Sequence, residues 1–392
     1  MGEVVVVGLG RSAQGNFQGA LASVSAPRLG GRVIEGVLKK YEVRADEVSE
    51  VILGNVLTAG EGQAPARQAS LFSGISKAVP TMTVNKVCGS GMKAVMLGVQ
   101  SILLGDSQVV VAGGMENMSQ VPFLLQQARG GLKMGHQTLI DSMIHDGLWD
   151  PYQQKHMGNC AELCAREKGF SRQEQDEYAV QSFRRAQEAQ KNGKFQLEII
   201  PLQISGKKGE VEKFEFDEGP SKVQFEKIPL LKPVFDSKGS VTAANASTIN
   251  DGAAVLVLAS PQHAKKLGLK PQAKVVSYAT HAHEPEWFTT APIDAMRKAV
   301  KKAQWDFNSI DLFEVNEAFA VVALAAQKEL KIPADRLNVW GGAISLGHPI
   351  GASGARIIVT LISALKNLGL KRGIAGICIG GGEATAICIE VC

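Results

Sequence analysis

The feature that most constrains the fold of this chain is an internal repeat of landmarks in the same order. In the first copy, a helical pattern is followed by a short apolar strand that ends at Asn55, and Ser90-Gly91 opens an amphipathic helix 35 residues later. In the second copy, the same succession ends at Asn316, and Ser353-Gly354 opens a helix 37 residues later. The nearly equal spacing predicts a duplicated chain with two halves of one topology.

The strands of both copies are continuous apolar runs, and each copy closes on a strand that ends at a glutamate, Glu116 or Glu383. The runs are VVVVG, VILGN, QVVVAGG and IAGICIG. Strands that are apolar on both faces are typical of sheets covered by helices on both sides. The pattern therefore predicts an α/β protein with helices between and outside two sheets. Alternation of this kind also occurs in α/β chains without duplication, so a coincidental repeat is the alternative.

A polar and partly helical segment interrupts the first copy. It contains SRQEQDEYAVQSFRRAQEAQKNGKF, a helical pattern that stops near a glycine, and the charged loop SGKKGEVEKFEFDEGPSK. We therefore divide the chain into a first half of residues 1–118 with 249–271, an inserted lobe of 119–248 and a second half of 272–392. Lobes of this kind commonly shape a substrate site.

Composition and charge argue against several classes of protein. The 42 basic and 38 acidic residues leave a net charge of +4, whereas nucleic-acid-binding proteins usually carry a concentrated basic surplus. No uninterrupted apolar run reaches the ~18 residues of a membrane helix, and the N-terminus lacks the pattern of a signal peptide. The six scattered cysteines favour a reducing compartment. We expect a cytoplasmic protein that binds neither nucleic acid nor membranes.

Cys88 is the first candidate for chemistry. In TVNKVCGSGMKAV it lies at a predicted strand-to-helix turn, beside the N-terminus of a helix. The partial positive charge there favours a thiolate, whereas an unperturbed thiol with a pKa of ~8.5 is only a few per cent ionised at neutral pH. The pattern predicts a nucleophile with a lowered pKa. A buried, inert cysteine is the alternative.

Three further candidates lie in the second copy. His348 stands in the glycine-dense loop GGAISLGHPIGASG just before a helix, where small residues let a substrate approach. Cys378 lies in an apolar strand that ends in three glycines, whose backbone N–H groups could form an oxyanion hole. Asn316 follows a strand, where it could cap a helix or hold a water. For the histidine and this cysteine, a purely structural role is the alternative.

Taken together, these residues and their flanks resemble the thiolase family, and the resemblance extends essentially from end to end. The segments that carry it are VNKVCGSGMKAV, GGMENMS, HMG, VTAANASTINDGAA, NEAFA, GGAISLGHPIGASGAR and CIGGGEA. Within the family the chain is similar to the short-chain acetoacetyl-CoA thiolases, through QFEKIPLLKPVF, AANASTINDG and EPEWFTTAP. The resemblance implies duplicated βαβαβαββ halves in a layered α-β-α-β-α core, with an inserted loop lobe.

The resemblance also implies an activity, the reversible Claisen condensation of two acetyl-CoA to acetoacetyl-CoA and CoA. Cys88 would be the nucleophile that forms an S-acetyl intermediate, and His348 would take its proton. Cys378 would move the α-proton of acetyl-CoA. Asn316, through a fixed water, would form one oxyanion hole with His348, and the backbone N–H groups of Cys88 and Gly380 would form the other.

By the same resemblance, one set of residues would line the path of the pantetheine and acyl groups. This set is His156, Met157, Lys222, Ala243, Ser247, Phe288, Ala318 and Phe319. Lys222 would replace an arginine that meets the nucleotide phosphate in some bacterial members. Pro220 stands where the mitochondrial type has a tyrosine that helps to hold potassium, which argues against potassium activation.

No cofactor or metal is expected, because the CoA thioesters are substrates. His156, Cys160 and Cys164 share a helical spacing, but three ligands over two turns span ~12 Å, too far for one zinc ion. The family implies a homotetramer. Two alternatives remain: a broader-range 3-ketoacyl-CoA thiolase of fatty-acid degradation, and a non-catalytic relative that binds acyl-CoA or lipid.

Overall fold

The computed structural model describes residues 3–205 and 210–392. The strands are β1 Val4–Arg11, β2 Gly15–Asn16, β3 Glu50–Gly54, β4 Thr81–Val84, β5 Val109–Asn117, β6 Phe123–Leu124, β7 Ile140–Asp141, β8 Trp149–Asp150, β9 Lys155–His156, β10 Leu202–Ser205, β11 Val211–Phe214, β12 Asn250–Ala259, β13 Ala273–Ala282, β14 Leu312–Val315, β15 Arg372–Ile379 and β16 Glu383–Val391. The α-helices are α1 Ala26–Lys40, α2 Pro65–Phe72, α3 Ser90–Leu104, α4 Met157–Lys168, α5 Arg172–Lys191, α6 Pro261–Lys266, α7 Ala291–Ala303, α8 Ala320–Leu330, α9 Ala343–Leu346 and α10 Ile350–Leu368. Residues 1–2 of the predicted first half and 206–209 of the predicted lobe lie outside the described residues.

The strand order repeats in the two halves. The first half has the order β4-β3-β5-β12-β1, and the second has β14-β15-β16-β13. In the first half β4 pairs in parallel with β3. In the second half a parallel bridge between Phe313 of β14 and Leu337 takes the same place. β3 pairs in parallel with β5, as β14 does with β15. The next pairs, β5 with β12 and β15 with β16, are antiparallel. The predicted duplication is therefore confirmed, and β1 joins the two sheets by pairing with β13 over residues 4–6.

The two central helices, α3 and α10, pack against each other and against strands of both sheets. They cross at the glycines of the repeated Ser-Gly pairs. A Cβ at Gly91 would lie 2.9 Å from the nitrogen of Ala355, and a Cβ at Gly354 would lie 2.5 Å from the nitrogen of Met92. The repeated glycines are thus required by the close helix crossing. One expectation was wrong in detail, because α10 already begins at Ile350, three residues before the serine.

The outer helices complete the predicted layers. α1 and α2 pack on the first sheet, and α7 and α8 on the second. The stretch Val87–Leu104, which contains α3, has the length and apolar composition of a membrane span. Its helix lies between the two sheets, with Met92, Val95 and Val99 buried. The apolar composition of this stretch is therefore explained by the burial of α3 in the protein core.

The inserted lobe contains α4, α5 and the short hairpins from β6 to β11. α5 is the helix that the sequence predicts. It begins with a capping box in which Ser171 and Glu174 bond each other's backbone N–H groups, and it ends before Gly193, which has a φ of 66°. α5 packs against α8 and α9 of the second half.

A buried ion cluster ties the lobe to the first half. The fully buried guanidinium of Arg11, at the end of β1, donates to Glu198 at 2.6 Å and to both oxygens of Asp217 at 2.7 and 2.9 Å. Removing the guanidinium would leave two buried carboxylates without a counterion, which costs several kcal/mol. These bonds therefore hold Glu198 and Asp217 of the lobe against the end of β1.

Candidate active site

Loops from both halves and from the lobe enclose a cavity of about 200 Å³ at the strand ends. Cys88 of the first half lines it, together with His348 and Gly380 of the second half. Three of the five predicted catalytic residues therefore share one space. Cys378 and Asn316, the other two, are fully buried.

Cys88 lies in the turn between β4 and α3. Burial raises the pKa of its thiol to about 11, and the charge of Glu116 adds to the rise. The backbone N–H groups of Gly380 and of Cys88 itself act in the opposite direction. The expectation of a lowered pKa was wrong, because desolvation of the sulfur exceeds the favourable N–H contacts. The group is a thiol at neutral pH, and it needs a base.

The hydrogen bonds of His348 determine which ring nitrogen carries the proton. Nδ1 lies 2.6 Å from Oγ of Ser353, and this hydroxyl donates to the carbonyl of Pro349 at 2.8 Å. Because a hydroxyl has one hydrogen to donate, Nδ1 must be the donor to Oγ. Burial and the nearby Arg356 lower the pKa of His348 to about 3. Nε2 has no hydrogen-bond partner among the described residues, so a free lone pair is available for proton transfer.

Replacing Ser353 with alanine is expected to slow alkylation of Cys88 by iodoacetamide at neutral pH by about tenfold or more. Without the acceptor at Nδ1, the imidazole is free to rotate and to change tautomer. Ser363→Ala is the matched control, since it removes a buried hydroxyl without a partner from the same helix. Equal alkylation rates in the two variants would contradict the assigned tautomer.

Cys378 is the next-to-last residue of β15, and Ile379 separates it from the turn of glycines between β15 and β16. Burial raises the pKa of its thiol well above the usual range, and a charge on Cys88 raises it further. The two sulfurs therefore influence each other electrostatically. In the resting protein Cys378 carries a proton, which it can donate once a negative charge develops nearby.

Asn316 follows β14, and its N–H donates to the carbonyl of Gly376 at 3.0 Å. Both polar atoms of its side chain are buried and have no hydrogen-bond partner among the described residues. It does not cap α8, whose N-cap is Phe319. A buried amide in this state is expected to bond a water or a ligand, so the water-holding alternative is the one that fits.

Glu317 is a site residue that the sequence reasoning missed. Its carboxylate accepts hydrogen bonds from Tyr178 at 2.9 Å and Ser182 at 2.7 Å, both on α5, and from the N–H of Ile344 at 3.1 Å. It thereby connects the lobe to the loop that precedes His348. Its position next to Asn316 was the only signal in the sequence.

A wider groove of about 660 Å³ continues outward from the cavity. The two spaces share wall residues, namely Phe235, Ala246, Ser247, Thr248 and Ile249. All eight residues predicted to contact the CoA thioester line one or both. The inner cavity has His156, Met157, Ser247, Phe288, Ala318 and Phe319, and the outer groove has Lys222, Ala243 and Ser247.

The lining of the outer groove includes two lysines. The side chain of Lys222 is 60% exposed, and its Nζ lies 3.7 Å from Glu218. Lys227, which the sequence reasoning missed, lines the same groove. Two ammonium groups on the wall of a mostly apolar groove suit a ligand that combines apolar parts with phosphate.

Of the three lobe residues that share a helical spacing, His156 lines the inner cavity and the two cysteines belong to the core. Nδ1 of His156 accepts a hydrogen bond from the N–H of Gly158 at 3.0 Å, and its ring stacks on Phe235 at 4.7 Å. Cys160 and Cys164 are buried in α4. Across residues 3–205 and 210–392, no group of three or more histidine, cysteine or acidic residues is placed to hold a metal ion.

Comparisons with known proteins agree with the geometry. Family models described as thiolase, N-terminal domain, and thiolase, C-terminal domain, match residues 4–262 and 269–391. The acetyl-CoA acetyltransferase of Cupriavidus necator is 49% identical over 391 residues, covering 100% of both chains. That of Pseudomonas aeruginosa is 50% identical over 388 residues, covering 99% of both.

Two solved structures share the fold over essentially the whole chain. The acetyl-CoA acetyltransferase of Bacillus anthracis superposes with a TM-score of 0.97 at 41% identity, covering 100% of this chain and 99% of that one. The Acat5 thiolase of Ascaris suum in complex with coenzyme A superposes with a TM-score of 0.94 at 43% identity, covering 100% of both chains.

Proposed function

Because this chain belongs to the thiolase family, we propose that it is an acetyl-CoA C-acetyltransferase that interconverts two acetyl-CoA with acetoacetyl-CoA and CoA. The observation that carries the proposal is the meeting of Cys88, His348 and Gly380 in one cavity, with Cys378 buried two residues before Gly380. The names of relatives about half identical over their full length support the choice of substrate.

The first half-reaction transfers an acetyl group to sulfur. Nε2 of His348 takes the proton of Cys88 while the sulfur attacks the thioester carbonyl of acetyl-CoA. The N–H groups of Cys88 and Gly380 stabilise the oxyanion. When the tetrahedral intermediate collapses, the CoA thiolate leaves and takes the proton of Cys378. The products are S-acetyl-Cys88, protonated His348, a Cys378 thiolate and free CoA.

The second half-reaction forms the carbon–carbon bond. The Cys378 thiolate removes the α-proton of a second acetyl-CoA, and the enolate oxygen is stabilised by protonated His348 and the water held by Asn316. The enolate carbon attacks S-acetyl-Cys88. The expelled Cys88 thiolate recovers its proton from His348, so every group returns to its starting protonation state.

The size of the inner cavity supports a short acyl group. Phe288 and Phe319 close one side of it, with ring centroids 6.3 Å apart, and Met118 and Leu148 line another. A longer acyl chain would compete for space with these side chains, of which Phe288, Phe319 and Met118 are buried and Leu148 is half-buried. The broader-range thiolase is therefore the less favoured candidate.

Steady-state thiolysis of a 3-ketoacyl-CoA series tests the proposal. We expect kcat/KM to fall at least about tenfold between the four-carbon and the eight-carbon substrate, because each poorly accommodated methylene costs ~1–3 kcal/mol. Phe288→Ala should reduce that ratio by enlarging the cavity, whereas Phe307→Ala, remote from it, should not. Equal kcat/KM along the series would favour the broader-range enzyme, and absence of CoA-dependent turnover would favour a binding protein.

The proposal extends to the setting of the enzyme. We propose a homotetramer in the cytoplasm without a resident cofactor, and the six free cysteines agree with a reducing compartment. We also propose that potassium has little effect on the rate. Pro220 has no side-chain oxygen to offer a cation, and its carbonyl already accepts a hydrogen bond from Gln187 at 2.8 Å.

A further inference from the structure

A single buried carboxylate, that of Glu116 near the end of β5, receives four hydrogen bonds. Oε1 accepts from Nδ2 of Asn55 at 2.8 Å and from the N–H of Leu57 at 3.2 Å. Oε2 accepts from the N–H of Val56 at 3.1 Å and from the N–H of Gly351 at 2.9 Å. Every donor is on a loop or at a helix start, and none is on the strand that carries the glutamate.

These bonds join the two halves of the protein at the catalytic centre. Asn55 and its neighbours belong to the first half, whereas Gly351 is in the first turn of α10, three residues after His348. The contact is close, because a Cβ at Gly351 would lie 2.7 Å from Oε2 of Glu116 and 3.0 Å from Cα of Asn55. The start of α10 is thereby held in one position relative to the first half.

The residues held by Glu116 also pack behind one wall residue of the inner cavity, Ile350. Val56 and Leu57 belong to a small buried apolar cluster with Ile350, and Cys88 packs against this cluster. Ile350 lines the cavity beside Cys88 and His348. Movement of either donor loop would therefore shift the surface against which the reacting sulfur rests.

The internal duplication gives this arrangement a counterpart. Asn55 corresponds to Asn316, since each follows the second long strand of its half. The amide of Asn316 has no partner among the described residues, whereas the amide of Asn55 is bound by Glu116. Glu383, which ends the matching motif of the second copy, pairs with Lys86, two residues before Cys88. Each copy thus places a glutamate on the active-site segment of the other.

We propose that Glu116 is a positioning residue for this reaction, and that its carboxylate holds the start of α10 so that His348 and Ile350 stay in register with Cys88. The proposal rests on the proposed function only in its test, because kcat and KM are measured for a thiolase reaction. Misplacement of reacting groups by about 1 Å costs ~10²-fold in rate. Loss of the carboxylate should therefore affect the chemical steps more than the binding of CoA thioesters in the outer groove.

The test compares Glu116→Ala and Glu116→Gln with Glu50→Ala. Glu50 lies at the opposite end of β3, where its carboxylate accepts from Ser101 at 2.7 Å and Ser107 at 2.9 Å. For both Glu116 variants we expect kcat for acetoacetyl-CoA thiolysis to fall by about 10- to 100-fold, with KM within about threefold of wild type. Alkylation of Cys88 by iodoacetamide should slow in parallel. Glu50→Ala should keep kcat within about twofold.

Thermal unfolding of each variant shows whether a loss of kcat comes from misplaced catalytic groups or from unfolding of the protein. A folded Glu116→Ala protein with kcat within about twofold of wild type would overturn the proposal, and so would an equal loss of kcat in Glu50→Ala. If Glu116→Ala does not fold, Glu116→Gln, which preserves the side-chain volume, decides by the same criteria. If the wild-type protein lacks thiolase activity, the proposed function fails, and the alkylation rates alone decide whether Glu116 positions the Cys88 environment.

Discussion

Replacing Cys88 with alanine is expected to abolish both turnover and acetyl transfer to the protein, with a loss of about 10⁵-fold or more in kcat. Cys88 is the only cysteine that lines the inner cavity together with the imidazole of His348, within residues 3–205 and 210–392. Incubation of the wild-type protein with acetyl-CoA alone should add one acetyl group to the peptide that contains Cys88. Mass spectrometry of the digested protein is the measurement.

Cys388→Ala is the matched control for that experiment, because Cys388 is a buried cysteine of β16 that does not line the cavity. It should retain acetylation at Cys88 and most of the turnover. An acetyl group found on Cys378 in place of Cys88 would reverse the roles proposed for the two sulfurs.

Replacing Cys378 with serine is expected to leave the acetylation of Cys88 largely intact and to reduce condensation by about 10³-fold or more. A serine hydroxyl is far too weak an acid to supply the base that removes the α-proton. Acetyl transfer is affected less, because a CoA thiolate can leave without being protonated. Exchange of the α-hydrogens of acetyl-CoA with deuterium oxide measures the proton-transfer step directly and should be lost in parallel with condensation.

Unchanged condensation in Cys378→Ser would show that Cys378 is not the acid and base of the reaction. Loss of acetylation together with condensation would instead show that the variant has disturbed Cys88. The two outcomes are distinguishable because acetylation and exchange are measured separately. Cys388→Ser, an equivalent change in the neighbouring strand, controls for the effect of a buried hydroxyl.

The pKa shifts of Cys88 and His348 indicate when the proton passes from the thiol to the imidazole. With a thiol whose pKa is raised to about 11 and an imidazole whose pKa is lowered to about 3, the resting pair is neutral at pH 7. A thiolate–imidazolium pair is therefore not formed in advance. His348 takes the proton as the sulfur attacks, when the developing charge moves onto the carbonyl oxygen and is stabilised by the N–H groups of the oxyanion hole. In the resting protein the low pKa also keeps Nε2 unprotonated throughout the neutral range.

Local patterns predicted much of the fold. The apolar runs became β1, β3, β5 and β15, and the glycine at the end of the polar helical pattern marked where α5 stops. The repeated Ser-Gly pairs predicted two equivalent helices, and these are the helices that cross at the centre. These features depend on residues close together in the chain, so a single sequence is sufficient to indicate them.

The contacts that determine the chemistry of the site were harder to predict from the sequence. No local pattern predicts that Glu116 bonds Gly351, 235 residues away, or that Glu317 bonds α5 of the lobe. The sign of the pKa shift of Cys88 was also missed. The helix N-terminus beside it is visible in the sequence, but the desolvation that exceeds it comes from side chains brought in by folding.

The sequence by itself determined the duplicated α/β architecture, the strand ends and turns where the candidate residues stand, and the resemblance that names their roles. Only the tertiary structure decided which of them face one cavity, which nitrogen of His348 is free and which carboxylate connects the two halves. The physical reason is range. Backbone periodicity and capping act over a few residues, whereas burial, charge and hydrogen bonding at a site depend on groups that are distant in the chain and adjacent only in the fold.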